Sequence, residues 1–279
     1  MPQVELSAGV IEYQDTGGTG PVLVLLHGLL MDGTVWRHVV AELGASHRCI
    51  VPTLPLGSHR EPMRPDADLS MRGIAELVGA LIDKLGLHDI TLVLNDWGGA
   101  ILLVTASPAE RIKRLVITSC EAFDNVPPGL AARMAVMAAW VPGGLTVAMQ
   151  QLRLRFMRRS ALVFGEMSKR PIRPDVMDAW FRPVLADCGV RRDLKKYLRN
   201  AKEAKRDLME ATERLRAFER PTLIAWASED RLMPPDHGRR LAALMPRARL
   251  VEIKDSYTLI PEDQPVALAS ALSQFIAET

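Results

Sequence analysis

Apolar residues along this 279-residue chain follow two different periods. Short continuous runs, such as Val22 to Leu26 and Ile90 to Asn95, predict strands buried on both faces of a parallel sheet. Val4 to Leu6, Val10 to Gln14, Cys49 to Pro52 and Leu115 to Thr118 predict further strands, set off by turn residues such as Asp15-Thr16-Gly17-Gly18. Between these runs the apolar positions recur at helical spacing. A helix is expected near Thr34, with Trp36, Val39, Val40 and Leu43 on one face. The clearest one carries Ile74, Leu77, Val78, Leu81, Ile82 and Leu85, with Ser70 as its N-cap and Gly86 as its stop. Strand and helix in alternation imply a parallel sheet covered by helices.

The pattern changes at Pro127-Pro128. From there to about Arg216 no strand run occurs, only helical, arginine-rich and methionine-containing segments. Strands resume at Thr222 to Trp226 and Leu250 to Ile253, and Pro265 opens a last helix carrying Leu268, Leu272, Phe275 and Ile276. The expected organisation is an α/β core of residues 1–126 and 217–279 with a helical cap of residues 127–216. A pocket between cap and sheet would be lined by Trp140, Trp180, Phe156 and the cap methionines.

Charge follows the same division. Residues 127–220 hold 20 basic and 10 acidic side chains, while the rest of the chain is net −8, so the overall +2 hides a basic layer. Such a layer could face an anionic substrate or a membrane surface, but solvated helix faces explain it more simply. The composition, 48% hydrophobic and 24% charged, is that of a globular domain. No leader pattern opens the sequence and no apolar stretch is long enough to span a bilayer. Cys49, Cys120 and Cys188 show no metal-ligand spacing and read as buried thiols in a reducing, cytoplasmic setting.

Candidate chemistry centres on Leu92-Val93-Leu94-Asn95-Asp96-Trp97-Gly98-Gly99-Ala100. An apolar strand running into an acid, a tryptophan and two glycines predicts a sharp strand-to-helix turn with Asp96 at its apex. A carboxylate raised there is suited to attack an alkyl carbon and form an ester. The plainer alternative is an N-cap acceptor. Other strands end at His27-Gly28, at Ser119-Cys120-Glu121 and at Trp226-Ala227-Ser228-Glu229-Asp230.

Taken in this order, these motifs resemble the α/β-hydrolase fold over nearly the whole chain. Leu94 to Gly99 is most similar to the haloalkane dehalogenase and epoxide hydrolase branch. The resemblance implies a mostly parallel twisted sheet with helices on both faces and a cap insertion. It makes Asp96 the nucleophile, the amides of Leu29 and Trp97 an oxyanion hole, and Asp230 the acid that orients a base. Glu121 is a second candidate for that acid. Read singly, His27-Gly28 is a tight turn with a satisfied imidazole, Trp97 is packing or a substrate contact, and Asp230 caps the helix after it.

The chain departs from the family in four places, the first being Leu94, two residues before the apex, where elbows usually prefer a small residue although this branch tolerates bulkier apolar ones. Leu29 stands where many dehalogenases carry a halide-binding asparagine. The cap holds one tyrosine, Tyr197, where epoxide hydrolases use two. Where the family places its catalytic histidine, before the proline of the last helix, this chain has Thr258 beside Tyr257, and no histidine follows His237. Without an imidazole to activate water, an ester at Asp96 should accumulate. His59, in the loop after the Cys49 strand, is the candidate replacement base, with a surface histidine as its plain alternative. His237 is expected to point outward, and Tyr257 and Thr258 remain as alternatives. The expected activity is that of a hydrolase acting on a small, largely apolar epoxide, alkyl halide or ester. No cofactor, metal, nucleic acid or membrane partner is expected, and a homodimer is admissible. The alternatives are a ligand-binding pseudoenzyme and a lyase or isomerase using the same pocket.

Overall fold

A computed structural model describes residues 1–105, 109–161 and 163–279, and it gathers the apolar runs into one sheet. The strands are β1 (Gln3–Leu6), β2 (Gly9–Asp15), β3 (Val22–Leu26), β4 (Arg48–Pro52), β5 (Ile90–Asp96), β6 (Ile112–Cys120), β7 (Thr222–Ala227) and β8 (Ala248–Ile253). They lie in the order β1-β2-β4-β3-β5-β6-β7-β8. From β4 to β8 every pairing is parallel, and only β2 runs the other way, antiparallel to both β1 and β4 at the edge. Each of the seven residues of β5 is buried, as a strand with helices on both faces requires. Truncating one of them, Leu92→Ala for instance, would cost about 2–5 kcal/mol, so the seat of the following turn is rigid.

Helices α1 (Arg37–Leu43), α2 (Met71–Lys84), α3 (Ala100–Thr105), α9 (Pro235–Leu244), α10 (Ile260–Asp263) and α11 (Pro265–Glu278) accompany the sheet. The remainder, α4 (Gly129–Trp140), α5 (Gly144–Gln150), α6 (Pro174–Ala186), α7 (Cys188–Arg199) and α8 (Ala201–Arg214), lie between β6 and β7. In α2, the Ser70 side chain accepts the Gly73 amide and Gly86 ends the helix at φ +62°, as the sequence pattern predicts. That the parallel strands all point one way puts their carboxyl ends, and the loops after Leu26, Asp96, Cys120 and Ala227, on one edge.

Three expectations about the inserted helices are corrected. Trp140 and Phe156 do not line a pocket but are exposed, as are Met134 and Met137. Trp180 is fully buried, and its Nε1 donates to Asp32 Oδ1 at 3.1 Å and Thr34 Oγ1 at 2.7 Å, clamping α6 to the turn before α1. Cys188 is exposed, not a buried thiol. α4 explains the first error: nearly every position in it is apolar, so periodicity could not say which side faces inward.

Candidate active site

β5 must end abruptly because α3, which packs against α2 and α8, begins four residues after Asp96. The chain manages this by placing Asp96 at φ +63°, a left-handed conformation that aspartate tolerates better than most residues. Two glycines make the turn fit. A Cβ on Gly28 would lie 1.7 Å from Asp96 Oδ2, and one on Gly98 would lie 2.3 Å from the Glu121 carbonyl oxygen. Leu30, in the facing loop, also sits at φ +56°, where an L-residue pays about 1–2 kcal/mol. The strain falls on the loop that presents the Leu29 amide.

That amide donates to Asp96 Oδ2 at 3.2 Å. The Trp97 amide is turned instead to the Asn95 carbonyl oxygen at 2.7 Å, so of the two expected oxyanion donors only Leu29 contacts the carboxylate here. Burial pushes the Asp96 carboxyl up to about 7; the Leu29 amide pulls the other way, and the Asp230 charge adds to the rise. Glu121, whose amide donates to the Asp96 carbonyl oxygen at 3.0 Å, is pushed to about 8 by burial and by the Asp96 charge. Its Oε2 accepts the Gly98 amide at 3.3 Å, which ties it to the elbow and leaves it without a described contact to a base.

Asp230 is raised to about 6, mainly by burial. Its Oδ1 accepts the amides of Leu232 at 3.0 Å and Met233 at 2.9 Å, a turn cap, and also the Thr258 hydroxyl at 2.8 Å. The cap reading of Asp230 thus has its counterpart in these amides, while the contact where a base would stand is a threonine hydroxyl. Its Oδ2 is buried with no hydrogen-bond partner among the described residues. Thr258 is itself held from the elbow: Asn95 Nδ2 donates to the Thr258 carbonyl oxygen at 2.8 Å and to Thr118 Oγ1 at 2.9 Å. Tyr257 faces elsewhere, with the Arg231 guanidinium 4.7 Å from its ring centre, and lines a separate cleft with Lys169 and Arg170.

The structure does not bring His59 to Asp96. Its Nε2 lies 3.2 Å from Asp193 Oδ2 on α7, and its Nδ1 faces the Gly57 amide at 3.4 Å. Asp193 is fully buried and also accepts the Met63 amide at 2.7 Å, so this pair fastens α7 to the loop after β4. His27 is satisfied in the turn, as expected. Leu54 N–H donates to its Nε2 at 2.8 Å, which leaves Nδ1–H for the Gly28 carbonyl oxygen at 2.8 Å. Burial holds His27 down near 4, so it is neutral. His237 does not point outward; it is buried with its ring edge-on to Phe123, centres 5.2 Å apart.

Tyr197 is the residue whose place the sequence did not foretell. It is buried on α7, and burial together with the Glu121 and Asp96 charges holds its phenol well above the usual range. The Trp97 indole opposes that rise, although Trp97 Nε1 closes no hydrogen bond of ordinary geometry among the described residues. The only sequence signal was that Tyr197 is the single tyrosine in the insertion. What results is a buried site in which Asp96 is repelled by Asp230 on one hand and repels Glu121 on the other, with one amide donor on Asp96 and two further donors, Trp97 Nε1–H and Tyr197 O–H, near it. Among the described residues no group of three or more His, Cys, Asp or Glu side chains is arranged to hold a metal ion.

Comparison with known proteins agrees with this architecture. The profile of the alpha/beta hydrolase fold matches residues 21–265. A cis-3-alkyl-4-alkyloxetan-2-one decarboxylase of Xanthomonas campestris pv. campestris is 27% identical over 95% of this chain and 92% of its own. Haloalkane dehalogenase 2 of Mycobacterium bovis is 27% identical over 95% of this chain and 91% of its own. The solved structure of a haloalkane dehalogenase, DbeA, of Bradyrhizobium elkani is alike in fold, with a TM-score of 0.78 at 21% identity over 99% of this chain and 98% of its own.

Proposed function

This chain belongs to the alpha/beta hydrolase fold family, and from that footing we propose that Asp96 attacks a small, largely apolar electrophile in a reaction that consumes no activated water. The observation that carries this reading is the Thr258 hydroxyl bonded to Asp230 at 2.8 Å. A hydroxyl there keeps Asp230 occupied, yet at neutral pH it has no basicity with which to take a proton from water. An ester formed at Asp96 then needs a way out that does not pass through hydroxide.

A strained four-membered cyclic ester, the substrate type named for the Xanthomonas relative, has one. The Asp96 carboxylate attacks the saturated ring carbon bonded to the ring oxygen, that carbon–oxygen bond breaks, and the lactone carbonyl becomes a free carboxylate still attached to the substrate while Asp96 becomes an alkyl ester. The bond from the new carboxylate to its neighbouring carbon then breaks as carbon dioxide leaves. Its electron pair becomes the alkene, and the Asp96 ester bond returns its pair to the carboxylate. No water is used and no proton moves. The Leu29 amide holds Asp96 Oδ2, while Trp97 Nε1–H and Tyr197 O–H supply donors to the carboxylate released in the first step. The unpartnered Trp97 donor also favours a second reading, displacement of halide from an alkyl halide followed by slow ester hydrolysis.

The test is incubation with a cis-disubstituted β-lactone, a haloalkane and an epoxide, following intact mass, carbon dioxide, alkene and halide. Many turnovers to alkene and carbon dioxide from the lactone, with a lasting single adduct from the other two, are expected, and Asp96→Asn should give neither. Release of a hydroxy acid from the lactone would mean that water is activated after all. Tight binding with no adduct and no product would make the protein a binder.

A further inference from the structure

The inserted helices carry an apolar surface that the sheet does not use. On α4, Leu130, Met134, Met137 and Trp140 recur at helical spacing, and all are exposed, Met137 by 65% and Trp140 by 61%. Val141 at the turn and Val147 on α5, which packs beside α4, are exposed as well. Scattered apolar residues on a surface need no explanation, but six on one helical hairpin do.

The stretch that carries them has charge of one sign. From Asn125 to Gly165 the chain contains five arginines and no acidic residue, and of these Arg155 and Arg158 are paired with Asp178 of α6 while Arg133, Arg153 and Arg159 have no ion pair among the described residues. Arg199 of α7 lies with its guanidinium 5.0 Å from the Trp140 ring centre and donates from Nε to the Ala139 carbonyl oxygen at 2.9 Å. At the tip of the hairpin, a cleft of about 220 Å³ is lined by Val141, Gly143, Thr146, Arg191, Arg192 and Lys195. Arg191 is bound to backbone carbonyls and Arg192 to Asp193, whereas Lys195 has no ion pair among the described residues.

This combination selects among occupants. A second copy of the chain docked face to face about a two-fold axis would set this all-basic segment against itself, a like-charge contact that disfavours association. A neutral apolar partner would leave the basic cleft without a counter-charge. An anionic lipid surface satisfies both features: methionine, leucine and tryptophan side chains enter the boundary between headgroups and acyl chains, and cations at the rim meet phosphate.

We propose that the α4–α5 hairpin docks this protein peripherally on an anionic phospholipid bilayer, with a lipid phosphate seated at Lys195 in the adjoining cleft. Nothing crosses the bilayer; among the described residues no helix is long and apolar enough to do so. The docking is independent of the chemistry at Asp96 and is measured without substrate.

The experiment is co-sedimentation of the full chain with vesicles of phosphatidylcholine alone and of phosphatidylcholine mixed with phosphatidylglycerol, alongside sedimentation velocity without lipid. Pelleting with the anionic vesicles only, reduced by salt, is expected. Met137→Glu and Trp140→Glu should abolish it, and Lys195→Ala should weaken the partition about five-fold, the share of one cation near the surface. All three side chains lie at the surface, and circular dichroism verifies that the variants fold. Absence of pelleting, equal pelleting with neutral vesicles, or pelleting that survives all three substitutions would overturn the proposal. So would a concentration-dependent dimer that Trp140→Glu dissolves, which would make the face a self-association surface.

Discussion

Thr258 Oγ1 donates to Asp230 Oδ1 at 2.8 Å, so the acid at the end of β7 is joined to a side chain that cannot serve as a base. Replacing that hydroxyl with an imidazole is the direct test of the proposed water-free chemistry. In Thr258→His, an ester formed on Asp96 by a haloalkane should decay about 10²-fold faster than in the native chain or more, the usual gain from a positioned general base. Pulse-chase mass spectrometry measures it. Thr258 is fully buried, so the larger ring should also lower stability by about 1–3 kcal/mol, read by calorimetry. An unchanged decay would mean that position 258 does not address the ester.

The carboxyl group cluster predicts an unusual pH dependence of stability. Asp96 at about 7, Glu121 at about 8 and Asp230 at about 6 all hold protons that the unfolded chain has already released. Their contribution to stability is therefore full below the ordinary carboxylate range and is lost as pH rises through about 6 to 8. The melting temperature should fall between about pH 5 and about pH 9. Asp96→Asn should flatten that fall, with a ceiling of about 4 kcal/mol for its own shift. Adduct formation should move the opposite way, rising through about pH 7 as Asp96 ionises.

Gly28 offers a test confined to geometry. Its Cβ would stand 1.7 Å from Asp96 Oδ2, so Gly28→Ala must push the carboxylate off the Leu29 amide. Adduct formation should fall about 10²-fold, the cost of misplacing a reacting group by an ångström or so. Stopped-flow or mass-based alkylation rates would show it, with Asp96 still titratable in the variant. A rate near native would mean that the Leu29 contact does not position the attack.

The His59–Asp193 pair separates a fastening role from a catalytic one. Removing either partner leaves a fully buried carboxylate or a buried imidazole short of a hydrogen bond, which costs about 1–3 kcal/mol. His59→Ala and Asp193→Ala should each lower stability, and the double variant should lose less than the sum. Alkylation of Asp96 and product formation per folded molecule should stay near native. If turnover disappears in His59→Ala while the fold is retained, His59 is the replacement base.

Local signals in the sequence reached a long way. The strand runs, the Ser70 cap and the Gly86 stop each depend on a few neighbouring residues, and each appears in the structure where the pattern puts it. The elbow belongs with them, because a buried strand followed by Asp96-Trp97-Gly98-Gly99 leaves the chain little else to do. What escaped were pairings between distant residues. His59 looked free until Asp193, 134 positions away, arrived on α7. Trp140 and Trp180 are alike in composition, yet one lies outside because α4 is apolar all round, and the other is drawn in by Asp32 and Thr34. Tyr197 enters the site by the packing of α7, which no spacing in the sequence announces.

Asn95 holds Thr258 across 163 positions. The residue just before Asp96 is thereby stapled to a segment made 163 residues later. A nascent chain that has made β5 and its elbow still lacks the loop that completes their surroundings, and any carboxyl-terminal truncation ahead of Thr258 removes it for good. The surroundings of Asp96 are thus complete only once the chain has been made through Thr258.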